Sequence, residues 1–65
     1  MESADKLLER AEELRRNAGF GEAINAFRAA MEAPDATEEI RRKAAASIEL
    51  IQEINSFVNV DLLNP

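Results

Sequence analysis

Sixty-five residues without a cysteine or a histidine make one domain at most, with a thin core that buries about 60% of the surface its unfolded chain exposes and that no disulfide or thiolate-bound metal can staple. Lacking histidine, the chain has neither the usual general base nor the commonest transition-metal ligand, so any catalysis would rest on carboxylates alone. The formal net charge of -5 opposes nucleic acid, whose binding is driven by counterion release at phosphates, and suits a neutral or basic protein partner.

The polar run Met1 to Lys6 leads straight into an amphipathic pattern. With no apolar signal region and no stretch near about 18 apolar residues, the sequence predicts no membrane contact and an intracellular, cytoplasmic placement. A domain cut from a longer exported chain is the alternative reading.

From Ser3 to Ala18 the residues Ala4, Leu7, Leu8, Ala11, Leu14 and Ala18 recur at three- and four-residue steps, which predicts a first helix over 3–18 with one apolar face. Ser3 is the expected N-cap, and Asn17 with Gly19 is the expected stop, the glycine supplying the left-handed conformation that ends many helices. Ala23, Ile24, Phe27, Ala30 and Met31 repeat the spacing and predict a second helix over 21–33, with Phe20 packing back on the junction. Pro34 breaks it, and Asp35 with Glu38 three residues on reads as a capping box for a third helix. That helix is expected over 36–58, with Ile40, Ala44, Ser47, Ile48, Ile51, Ile54 and Val58 in register. Glu38 with Arg42 and Glu39 with Lys43 are acid-before-base pairs at a four-residue step, which support a helix rather than a function. Residues 59–65 combine Val60, Leu62 and Leu63 with turn-forming Asn59, Asp61, Asn64 and Pro65, and are expected to form a C-terminal tail with apolar anchors. The reading is therefore an all-α fold of three helices in a single domain.

The small residues Ala11, Ala23 and Ala30 would let two antiparallel helices approach closely. The order Leu7, Ala11, Leu14, Ala23, Phe27, Ala30, closed by Pro34, resembles a tetratricopeptide repeat, the helix-turn-helix unit of about 34 residues. The run Gly19-Phe20-Gly21-Glu22-Ala23-Ile24 carries the most specific part of the likeness. Departures are Arg10 in place of leucine, Gly19 one residue late, Pro34 one early, and leucine for the first-helix aromatics. The likeness covers residues 4 to 34, so it implies one helical hairpin packed by a long third helix acting as its cap, or chains stacked on one another. A second resemblance is to the microtubule-interacting and trafficking domain, also three helices with a repeat-like first hairpin.

The resemblance implies a non-catalytic module that binds a protein or peptide, with the first helix lining a concave groove. By position, Asp5, Leu8, Glu12, Arg15 and Arg16 would be the contact residues. Read without the family, Glu12 and Arg16 are a solvated pair and Leu8 is core. The subgroup that clamps C-terminal carboxylates carries lysine and asparagine on this face, where Leu8, Glu9 and Glu12 stand here, so chaperone tails are not the expected ligand.

Leu50 and Phe57 lie on a flank of the third helix outside its main stripe and widen the apolar arc. Either Val60, Leu62 and Leu63 fold back to cover this flank, or it faces another chain in a homodimer or a helix-in-groove contact. Arg15-Arg16 suits the end of a helix, whereas Arg41-Arg42-Lys43 lies near a helix start and is offset by Glu38 and Glu39. Glu9, Glu12 and Glu13 point to different faces, so neither a metal nor a cofactor is expected, and no paired acid and base for hydrolysis is visible.

Overall fold

The computed structural model describes the backbone of residues 2–63 and the side chains of residues 2–54. Three helices follow one another, α1 (Ala4–Arg16), α2 (Phe20–Glu32) and α3 (Glu38–Leu63), and no strand occurs among the described residues. The all-α, three-helix architecture agrees with the sequence pattern, and the differences lie at the helix ends.

Ser3 caps α1 as expected, its Oγ accepting from the Lys6 N–H at 3.3 Å. The other end departs from expectation. The left-handed residue is Ala18, with φ 63, and neither glycine has a positive φ. The Gly19 amide reaches back to the Leu14 carbonyl at 2.8 Å and the Ala18 amide to that of Arg15 at 3.0 Å. This is the Schellman arrangement, with alanine in the place that glycine usually holds. It stops α1 at Arg16 rather than Ala18, and lets α2 begin at Phe20, one residue before the expected start. Gly19 instead becomes the N-cap of α2 with φ -84, its carbonyl accepting from Ala23.

α2 ends at Glu32, and Ala33 is extended with ψ 143, the conformation that a following proline imposes. Asp35 does not cap α3. Its carboxylate turns away to accept the amide of Ala4, at 3.0 and 3.3 Å, and so caps the start of α1 from a residue 31 positions along the chain. Thr37 takes the role expected of Asp35, its Oγ1 accepting from the Ile40 amide at 3.1 Å and its carbonyl from that of Arg41. α3 therefore starts at Glu38 rather than residue 36.

The core is built on alanine. Ala4 and Ala11 of α1 and Ala23 and Ala30 of α2 are all wholly buried, and with only a methyl group between the backbones the two helices close tightly on each other. Phe27 and Ile51 are the largest wholly buried side chains and sit in one cluster with Ala11, Ala23 and Ala44. A second cluster, Ala4, Ala30, Ala33 and Ile40, fills the corner between α2 and α3. Leu8 packs against both and joins them.

Because Ile40 shares a cluster with Ala30 and Ala33 while Ile51 shares the other with Ala23 and Phe27, α3 runs back along α2 in the opposite direction. Only the first turn of α2, from Phe20, is left once α3 reaches Ile51. α3 nevertheless continues as helix to Leu63, a further 18 Å or so at about 1.5 Å per residue. The molecule is accordingly elongated, 45 × 20 × 15 Å. Two expectations change here. The backbone does not turn at Asn59, since no residue there forbids the helix from propagating, and Ile54, although in register with the core stripe, is 51% exposed.

Candidate functional site

The α1 residues that the repeat resemblance proposes as contacts are in different environments. Asp5, Arg15 and Arg16 are exposed, Glu12 is half-buried, and Leu8 is half-buried in packing against both core clusters. Leu8 is thus held by the fold, and the polar members of the strip form no ion pair with one another among the described residues. The ion pair that does form is Arg10 to Glu2 at 2.8 Å, on the outer face of α1. It closes over a shallow charged hollow shared with Lys6, Glu9 and Glu13. The expected pairs Glu38 with Arg42 and Glu39 with Lys43 remain open.

A groove of about 410 Å³ between α2 and α3 has more of the character of a binding surface. Met31, Ala45 and Ile48 line it with apolar surface, and Arg28, Glu32, Glu49 and Gln52 supply its polar lining. The wholly buried contacts of α3 fall on Ala44 and Ile51, which leaves Ala45 and Gln52 exposed beside the groove and Ile48 half-buried between it and the core. A methyl group at residue 45 fills little of the space. Carboxylates on both walls, Glu32 on α2 and Glu49 on α3, share the lining with the guanidinium of Arg28, which makes the polar lining acidic on balance. The sequence pattern placed Met31 and Ile48 on the apolar faces of their helices, and both are half-buried against the core cluster while also lining the groove; Ala45 it left unremarked. The run Ala44-Ala45-Ala46 was the available signal that a helix surface here is unusually thin.

The flank of α3 is open where it is described. Leu50 is 53% exposed and Ile54 51%. The proposed covering residues Val60, Leu62 and Leu63, and the flank residue Phe57, have side chains outside the described residues. The basic cluster Arg41-Arg42-Lys43 is exposed.

Among the described residues no group of three metal-ligating side chains converges, no buried side-chain polar atom lacks a partner, and no helix is long and apolar enough to cross a membrane. No protein-family model, curated protein or solved structure matches the chain.

Proposed function

We propose that this chain is a non-catalytic protein-binding module of tetratricopeptide-repeat type, taking an amphipathic helical segment of a partner protein into the groove between α2 and α3. The observation that carries the reading is the groove itself, an apolar strip of Met31, Ala45 and Ile48 with polar side chains from both helices along it. Such a surface matches a helix whose apolar residues recur at three- and four-residue steps. With Glu32 and Glu49 in the lining and a net charge of -5, the favoured segment carries lysine or arginine beside its apolar stripe. The alanine-lined hairpin is the rigid support. The α1 strip of Asp5, Glu12, Arg15 and Arg16 is the rival surface, with charge but no apolar floor of its own once Leu8 is committed to packing.

Selection of displayed peptides on the immobilised chain tests this. The expected result is enrichment of basic amphipathic sequences whose binding is lost in Ala45→Arg, a change at an exposed position that blocks the groove, and retained in Arg15→Ala. Failure to enrich any such sequence, or binding lost in Arg15→Ala and kept in Ala45→Arg, overturns the assignment to the groove.

A further inference from the structure

Glu32 lines two hollows. One is the groove it shares with α3, and the other, of about 310 Å³, lies where the end of α2 meets the start of α1. Leu7, Ala29, Ala33 and Pro34 give the second hollow an apolar lining, while Glu2 and Glu32 add one carboxylate from the α1 side and one from the α2 side, with no cation among the lining residues. Its place along α2 adds to this charge. Unsatisfied carbonyls give the C-terminal end of a helix a partial negative charge, so cations are favoured there and carboxylates disfavoured. α1 follows that rule, with Arg15 and Arg16 in its last turn, whereas α2 has no basic residue in its last turn and ends on Glu32. The negative end of a helix and two carboxylates therefore act on one apolar hollow.

We infer that this hollow receives one lysine or arginine side chain of the basic helical segment bound in the α2–α3 groove, which rests on that segment occupying the groove. The side chain passes over Glu32, the residue common to both. Lysine and arginine suit the lining because their aliphatic stems lie along apolar surface while the charge stays at the rim. An apolar side chain would strip water from two carboxylates and replace it with nothing, and a bare metal ion would leave the apolar lining unused, so the hollow selects a cation on a stem. Glu2 is shared. It pairs with Arg10 at 2.8 Å, with 58% of the Arg10 side chain and 38% of the Glu2 side chain exposed. Exposed pairs of this kind hold weakly, so the incoming cation competes with Arg10 for Glu2. The consequence is selectivity for a basic residue at one position of the segment, beyond a general preference for positive charge.

The probe is a fluorescent helical peptide of alanine, leucine and lysine, with leucine at three- and four-residue steps, read by anisotropy. Glu2→Gln and Arg10→Ala break the same ion pair, so a role confined to supporting α1 would move binding in the same direction in both. The expected result is opposite movement, roughly threefold weaker in Glu2→Gln and roughly twofold tighter in Arg10→Ala, the size of an exposed charge pair. Glu13→Gln makes the same change of net charge outside the hollow and is expected to leave affinity nearly unchanged. Replacing the peptide's lysines one at a time with glutamine should find one position whose effect disappears when the chain already carries Glu2→Gln, the mark of a direct pair. Binding that is lost in Ala45→Arg, yet weakens equally in Glu2→Gln and Glu13→Gln or has no lysine coupled to Glu2, overturns the hollow and leaves the groove standing. A probe that the parent chain does not bind, or that Ala45→Arg still binds, overturns both.

Discussion

Ile51 and Ile54 stand three residues apart on α3, yet Ile51 is wholly buried and Ile54 is 51% exposed. Both belong to the same apolar stripe. The first faces Phe27 and Ala23 across a helix that is still present, and the second lies past the point where that helix begins. Hydrophobic period fixes the direction in which a side chain points, whereas burial depends on how far the neighbouring helix extends. The N-terminal half of α3 is therefore part of the folded core, and exposure of its large apolar residues begins within the helix at Leu50 and Ile54.

The sharpest way to break this comparison is to apply one substitution at both sites under conditions where the chain is monomeric. Ile51→Ala should cost about 2–5 kcal/mol, as for large-to-small changes in a closed core. Set against a total of roughly 3–10 kcal/mol for a domain of this size, that loss should unfold much of the population. Ile54→Ala should stay within about 0.5 kcal/mol. Urea titration monitored by circular dichroism reads both, and equal losses would mean that Ile54 is covered within the monomer. A smaller effect is expected at the corner that anchors the packed half. Asp35→Ala removes the acceptor for the Ala4 amide and should cost about 1 kcal/mol, the usual size of a lost N-cap. An unchanged midpoint would show that Ser3 caps α1 sufficiently alone. The smallest effect has the opposite sign. Ala18→Gly relieves the left-handed alanine at φ 63 and should stabilise by about 0.5 kcal/mol, since the relief is partly offset by the freedom glycine adds to the unfolded chain. A thermal midpoint that falls instead would place the strain elsewhere.

Much of this organisation is legible in the residues. The three apolar periods, Ser3 as a cap, Pro34 as a break and Leu50 as an outlying apolar residue all follow from local spacing and are present in the fold. What stays hidden is what depends on distance along the chain or on the relative placement of helices. Asp35 has every local mark of a cap for α3, and only its approach to an amide 31 residues away diverts it, leaving Thr37 to serve. Gly19 has the local mark of the left-handed stop, yet the chain puts Ala18 there because Gly19 is the residue whose amide must reach Leu14. The expected turn at Asn59 is absent because asparagine favours a turn without enforcing one. For the candidate surfaces, the α1 strip came from resemblance. The α2–α3 groove depends on how two helices are spaced, and no single periodicity reports that.

The Asp35 contact with Ala4 has a consequence for motion. The first amides of a helix ordinarily exchange with solvent freely, because helix ends fray and those protons lack partners. Here the Ala4 proton is held by a carboxylate rooted in the α2–α3 corner, so its release to water is slowed by that contact and speeded when the corner opens. Its hydrogen-exchange rate is therefore sensitive, at one end of the chain, to an opening event in the middle of it, and the difference between the parent and Asp35→Ala measures that share.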